Sequence, residues 1–472
     1  MFTAPYPPYD PTDPAGFSYT TVVHRWPVII TGVIDRLHRA SHELCLEQNA
    51  APDSDAAAKA ALGVRIEEAK GIIEKISKLK YEMGRNYAMQ PIPADGEPAD
   101  SYNAELARLA AEEKNTWFTA PWLFAECYLY RLLRSFFAQT TRWAAFDPFA
   151  SQKTDTFRGS AKAIYQLATT MHELDAERAT LQSDPDKLGV LFKEMIQMCL
   201  WGNATDLSLL THLSAADIAA LQTVGPARAA FILRDDQAAA WRHVRGLAHG
   251  RVDVVLDNAG FELFTDLVLA DFLVTYTPHV ASVVFHPKLI PWFVSDVTPA
   301  DFADTISSLL DPSFLAPPEG TNIEHLERMV ARWKTYVESG VFALSVPAST
   351  PLGGSAESEV AEFWTGWAPY WDMRGRARGL WGELRGSGLV IFKGDLNYRK
   401  LTGDVQWPAW TPFATALGPL AGSFPLLSLR TNKADVVVGV EREVAERLDK
   451  SGEKWRVDGR YALISFLAGG VE

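Results

Sequence analysis

Four oxygen-bearing side chains pose the first chemical question. Asp257 and Asn258 stand side by side where the short β-branched run Val252 to Leu256 stops, and Glu262 follows about one helical turn later. Asp296 lies 39 residues beyond Asp257, in W-F-V-S-D-V-T-P, just ahead of Thr298 and Pro299. Thr298-Pro299 has the form of a cap and first turn, so both acids fall at entrances to helices on one sheet edge. Two carboxylates and a carboxamide are hard donors that select Mg²⁺ or Mn²⁺ and leave positions for water and a substrate oxygen. Plain helix capping suits the same residues, and spacing alone does not separate the two readings.

Two further segments repeat the pattern. In G-L-V-I-F-K-G-D-L-N-Y-R-K an apolar strand ends in Lys393, Gly394, Asp395 and Asn397, where the glycine allows close approach to the main chain and Lys393 offers a point charge. In F-P-L-L-S-L-R-T-N-K a third strand ends in Arg430 and Lys433, beside Asp435. Acids that suit a metal and cations that suit an anion therefore gather at three strand ends. That set fits phosphoryl transfer to water, in which a metal polarises the phosphoryl group and cations offset charge on its oxygens. A haloacid-dehalogenase mechanism wants Asp-x-Asp, but Ala259 occupies the second position after Asp257. No G-x-S-x-G, H-E-x-x-H or G-x-x-x-x-G-K-[ST] is present. Among the histidines, His286 follows an apolar run and, with Lys288, is the better site candidate; His212, His249 and His279 read as surface or satisfied core residues.

The elements that must position these groups alternate in period. From Arg251 on, short apolar runs at Val252–Leu256, Ala281–Phe285, Val341–Val346, Gly388–Phe392, Phe424–Leu429 and Tyr461–Leu467 alternate with helix-length segments, which predicts an α/β fold with a largely parallel sheet. Phe261 to Thr275 is the helix that opens behind Gly260. The first half is helical. Ile66, Ala69, Ile72, Ile73, Ile76, Leu79 and Met83 form one stripe within Arg65 to Met83, and W-L-F-A-E-C-Y-L-Y-R-L-L-R-S-F-F, with Thr119 as its expected cap, is apolar on most of its circumference. Its Glu126, Arg131 and Arg134 need partners, and buried ion pairs are expected for Glu126 and Arg131. Lys187 to Leu210 is again helical, Met1 to Gly16 reads as a proline-rich arm over a domain surface, and Pro347 to Glu357 as a surface loop. The working division is a helical domain over 1–210 and an α/β/α domain over 211–472.

The whole chain narrows the partners. Lys and Arg number 45 against 58 Asp and Glu, a formal charge of −13 that offers no basic surface for nucleic acid. Three dispersed cysteines suit a reducing compartment, and no apolar run is long enough for a bilayer span, so the expectation is a cytoplasmic protein, with the nucleus open to it, and a monomer.

Taken in order, the R-W-P segment at Arg25, the W-L-F-A-E-C-Y-L-Y-R helix, L-W-G-N-A-T-D-L-S, L-D-N-A-G-F-E-L, F-H-P-K with W-F-V-S-D, F-K-G-D-L-N-Y-R-K-L and R-T-N-K resemble the damage-control phosphatase family, in its sugar-phosphate-phosphatase branch marked by R-T-x-K and also described as acidic-residue methyltransferase-like. The resemblance implies a mostly helical N-terminal domain on a three-layer α/β/α sandwich. It implies Asp257, Asn258 and Asp296 as metal ligands, Glu262 as a further active-site acid beside the catalytic Asp257 and Asp296, and Gly394, Asp395, Leu396, Asn397, Tyr398 and Lys433 as substrate contacts. Asp257, Asn258, Lys393 and Arg430 join that substrate set. It implies hydrolysis of phosphometabolites such as fructose 1-phosphate and fructose 6-phosphate with Mn²⁺, Mg²⁺, Co²⁺ or Ni²⁺, in metabolite repair. Asn203 and Asp206 lie in shared motifs without an assigned role. Two other readings stand beside it: a carboxyl methyltransferase using S-adenosylmethionine, which lacks a glycine-rich turn after Val252–Leu256, and a binding module that kept the pocket.

Overall fold

The computed structural model describes residues 2–52, 54–202, 230–355 and 358–470. The expected boundary at 210/211, the end of the helix expected over Lys187 to Leu210, Asn203, Asp206 and His212 lie outside the described residues. Seven strands form one sheet among the described residues: β1 Ile232–Asp235, β2 Gly250–Val255, β3 Val280–His286, β4 Phe342–Leu344, β5 Leu389–Lys393, β6 Leu426–Thr431 and β7 Ala462–Leu467. Their order is β1-β7-β6-β5-β2-β3-β4. Six strand runs fall where the apolar segments predicted them. β1 was not anticipated: I-L-R-D is short and half polar because it lies at the sheet edge, with one face open.

The chain leaves β2 for β3 and β4 on one side, then returns to place β5 on the other side of β2. Direction therefore reverses between β2 and β5, and in open α/β sheets the crevice beyond the strand ends at that reversal is where ligands bind. All pairs are parallel except β6 with β7. The exception has a local cause. The excursion after β6 comes back to the end it left, with Asn432 N–H donating to Tyr461 O at 2.8 Å and Gly459 N–H to Asn432 O at 2.8 Å, so β7 has to run back along β6.

Helices cover both faces of the sheet. One apolar core joins it to helices Ala161–Ala176, Pro185–Trp201, Phe261–Tyr276 and Ile323–Ser339; the opposite core holds Trp364, Tyr370 and Trp371, the helix Gly394–Thr402 and the 436–440 segment. A third core belongs to α1 (Trp26–Ala50), α2 (Ala56–Gly84) and α3 (Trp122–Ala138), and reaches the sheet layer through Ile290, Trp292, Leu396 and Ala434. The stripe of α2 is buried as expected. α3 starts at Trp122 with Pro121 in the cap position, so Thr119 is not its cap; Thr119 Oγ1 pairs with Thr116 Oγ1 at 2.8 Å instead. The arm crosses to both halves, with Tyr9 N–H donating to Asp404 O and Trp122 N–H to Tyr9 O. The 347–357 loop is tied down up to residue 355, since Arg134 donates to Leu352 O and Gly353 N–H to Leu289 O. No described helix is long and apolar enough to cross a membrane.

The charges inside α3 fasten the helical layer to its surroundings. Arg131 is paired with Asp95 at 2.8 Å and Arg134 with Glu97 at 2.6 Å. Glu126 accepts from Trp26 Nε1 at 3.1 Å and pairs at 2.6 Å with Arg399, which reaches Asp404 at 2.9 Å and lies 3.7 Å over the Trp122 ring. Removing one member of a buried charge network costs several kcal/mol because its partners stay buried. Arg399→Ala should therefore lose about 3–5 kcal/mol of unfolding free energy in urea; a loss within about 0.5 kcal/mol, typical of surface changes, would contradict this tie.

Candidate active site

Beyond β2 the chain runs through Leu256 and Asp257 and turns at Gly260, whose φ of +77° only glycine adopts readily. Glu262 sits in the first turn of the next helix, α4 (Phe261–Tyr276). A second segment folds back against it. Val297 N–H donates to Asp257 O at 2.8 Å and Ala259 N–H to Ser295 O at 2.7 Å, forming a bridge that sets Asn258 opposite Asp296. The Thr298 cap is present as predicted, as a capping box with Asp301. Just before Ser295, Phe293 and Val294 have φ of +45° and +73°. The left-handed region is costly for a β-branched residue, by about 1–3 kcal/mol, and such strain clusters where a site fixes its neighbours.

The third wall comes from β5. Gly394 has φ of +79°, and a Cβ there would fall inside the Asp257 carboxylate. Helix α5 (Gly394–Thr402) thus begins against Asp257, and no side chain caps it. The free N–H groups of such a terminus, with the helix dipole, attract anions. Asp395 Oδ1 accepts from Arg430 Nε at 2.7 Å and from Lys433 N–H at 3.0 Å, fastening the R-T-N-K turn to the same helix end. Asn397 is a buried hub: its Nδ2 donates to Leu256 O and Lys393 O, while Oδ1 accepts from Tyr370 Oη at 2.7 Å and Lys288 Nζ at 3.3 Å.

Asp257, Asn258, Glu262, Asp296 and Gly394 are therefore brought together, with the Lys433 charge acting on Asp257. Other expected contacts are placed differently. Lys393 points beneath the site, to Asp266 at 2.5 Å, Glu262 at 3.3 Å and Cys199 O at 3.0 Å, so it steadies acids instead of facing a phosphate. Arg430 is buried against Asp395, Ala434 O, Val436 O and the Tyr398 ring. Tyr398 hydrogen-bonds Val438, and Leu396 joins the core of the helical layer. His286 pairs with Asp253 at 2.9 Å inside the sheet. Lys288 does belong to the site, with its ammonium 3.8 Å from Asp296 Oδ2 and 3.1 Å from Leu256 O. Ser295, Asp266 and Lys400 were missed. Asp266 was legible as the acid four residues after Glu262; Ser295 and Lys400 carried no signal beyond adjacency to Asp296 and Arg399.

The electrostatics of this crevice are those of acids held close with little water. Asp257 is raised well above the carboxylate range by burial and by Glu262 and Asp296, against the pull of Lys433 and Lys288. Burial raises Asp296 to about 7, opposed by Lys288, whose own ammonium burial pushes down. Asp296 Oδ2 is buried without a hydrogen-bond donor. Among the described residues no three His, Cys, Asp or Glu side chains form a metal cluster, so the candidate set is two carboxylates and one carboxamide. As placed, Asn258 Nδ2 donates to Asp257 at 2.6 Å and Glu262 at 2.8 Å, and its Oδ1 accepts from Ser295 Oγ. The amide nitrogen stands where a cation would offset those acids. Reversing the amide turns a hard oxygen to them, and the Ser295 hydroxyl accepts as readily as it donates. The residues present thus fit a divalent ion held by Asp257, Asn258 and Asp296.

Two variants test this geometry. Gly394→Ala must displace either Asp257 or the start of α5, so calorimetric affinity for Mn²⁺ should fall at least about tenfold, some 1.4 kcal/mol; unchanged affinity would contradict the contact. Lys400 lies buried on the carbonyls of Trp364 and Gly366, and burial lowers it from 10.5 to about 8. The folded protein gives up this proton first, so stability should rise with pH between those values. In thermal unfolding, wild type should gain on Lys400→Met from pH 8 to 10.5; a gap independent of pH would refute it.

Known proteins resemble this chain over nearly its whole length. The family model for the damage-control phosphatase ARMT1-like domain matches residues 21–448. Damage-control phosphatase ARMT1 of Danio rerio is 34% identical over 462 residues, covering 95% of this chain and 94% of that protein. The human protein of that name is 33% identical over 470 residues, covering 96% of this chain and 97% of its own. A crystal structure of a DUF89 family protein from Pyrococcus horikoshii covers 80% of this chain and 92% of its own at 14% identity, with a TM-score of 0.36 that is too low to build on. The chain belongs to the damage-control phosphatase ARMT1-like family.

Proposed function

We propose that the protein is a divalent-metal-dependent phosphomonoesterase acting on sugar phosphates such as fructose 1-phosphate and fructose 6-phosphate, in the removal of unwanted phosphometabolites. The observation that carries the reading is the placement of Asp257 at the sheet reversal, pressed against the uncapped start of α5 with Lys433 as its facing charge. Acid and anion-binding groups there share one small volume. A bound Mn²⁺, Mg²⁺, Co²⁺ or Ni²⁺ would supply Lewis-acid activation of the ester.

The chain's own groups do the rest. The first N–H groups of α5 and the Lys433 ammonium bind the phosphoryl oxygens, and the missing side chain at Gly394 lets them approach Asp257. Asp395 fixes the register between the two anion-binding segments. Glu262 is an orienting acid: Lys393 holds Oε1 and Asn258 meets Oε2. Lys288 and Lys433 oppose the rise that burial, Glu262 and Asp296 impose on Asp257. Burial of Asp257, Glu262, Lys288 and Lys393 leaves little mobile water to screen them, which strengthens their interactions with developing charge.

Phosphate release from fructose 1-phosphate and fructose 6-phosphate should require added Mn²⁺ or a related ion, and Asp257→Ala should reduce it by at least about a thousandfold, roughly 4 kcal/mol of barrier. Equal release in excess chelator, or near-normal turnover by the variant, would overturn the proposal.

A further inference from the structure

Resting on the phosphatase reading, we infer that the cleft along α1 holds the alcohol portion of the ester and that Arg25 recognises a second anionic group on it, so that bisphosphates and phosphorylated acids are preferred to neutral alcohols. The cleft has a volume of about 930 Å³. Its floor includes Ser295, whose hydroxyl donates to Asn258, together with Tyr130 and Glu126. Tyr130 is the link to the reacting acids, since the charges of both Asp296 and Arg25 act on its hydroxyl. One wall follows the turn before α1 and then α1 itself, from His24 to Glu43, about 28 Å at 1.5 Å per residue. That is far longer than a hexose ring, and the volume lies at the upper end of the range for drug-sized ligands.

The charges in the cleft are not balanced in the usual way. Of its acids, Asp35 is paired with Arg39, Glu126 with Arg399 and Asp155 with Arg158, which leaves Glu43 at the far end. Among the described residues, Arg25 and Arg36 have no carboxylate at ion-pair distance; each lies only over a ring, Phe17 and Phe146 respectively. In a chain of net charge −13, two guanidiniums without acid partners in one cleft are cations left available to an anion. A planar guanidinium fork suits phosphate or carboxylate, and an arginine with no acid of its own has its donors free for such a group. Arg25 ends a π-helical turn, Thr21–Arg25. The extra residue in such a turn rotates the helix beyond it, and π-turns recur at functional sites.

The test compares wild type, Arg25→Ala and Arg25→Lys on fructose 1,6-bisphosphate, fructose 6-phosphate and p-nitrophenyl phosphate, with calorimetric binding of the bisphosphate beside the kinetics. Arg25→Ala should raise KM for the bisphosphate at least tenfold with kcat within twofold, leave p-nitrophenyl phosphate within twofold, and weaken bisphosphate binding by the same factor, with Arg25→Lys between. Equal losses on all three esters, or bisphosphate binding unchanged in Arg25→Ala, would overturn the inference. If no ester is turned over, the phosphatase reading fails, and the calorimetric comparison alone still decides for or against the Arg25 site.

Discussion

Everything in this molecule is arranged around one close approach: the Asp257 carboxylate lies where a side chain on Gly394 would have to be. That contact joins the ends of β2 and β5 at the sheet reversal. It also concentrates negative charge where burial makes charge expensive, since Asp257, Glu262 and Asp296 act on one another through protein, not solvent. The surroundings answer with buried lysines. Lys393 holds Glu262 and Asp266 from below, while Lys288 sits between Asp296 and the carbonyl of Leu256. These two cations make the acid cluster sustainable without occupying the face that opens toward Ser295 and the cleft.

The helical layer shapes what that face can meet. α3 would be an ordinary apolar core helix but for Glu126, Arg131 and Arg134, and each of these finds a buried partner. Through Glu126 and Arg399 the layer is joined to the same short helix, α5, whose start confronts Asp257. One end of α5 therefore confronts Asp257 without a side-chain cap, and the other anchors the layer that carries the cleft wall. Strain at Phe293 and Val294 has a local purpose, because the kink delivers Ser295 and Asp296 together to Asn258.

Much of this was legible in the residues. Apolar runs ending in Asp-Asn and in Lys-Gly-Asp located the strand ends, and a parallel sheet then required those ends to share an edge. What spacing does not reveal is the direction of a side chain at a strand end. Lys393 and Arg430 carry the right charge in the right segments, but both point into the body of the protein, where Asp266, Asp395 and main-chain carbonyls claim them. Strand β1 was hidden because an edge strand needs little apolar sequence, and the antiparallel β7 because nothing local records where a long excursion comes back. Ser295 is a hydroxyl of the commonest kind, and only its contact with Asn258 distinguishes it.

A crystal soaked with Mn²⁺ and orthovanadate, measured at the manganese absorption edge, tests the central claim most directly. The expected result is an anomalous peak bounded by oxygens of Asp257, Asn258 and Asp296, with the Asn258 amide reversed toward Ser295 and the vanadate resting on the start of α5 beside Lys433. A metal bound elsewhere, or vanadate lodged on Lys393 or Arg430 with the α5 terminus empty, would contradict it.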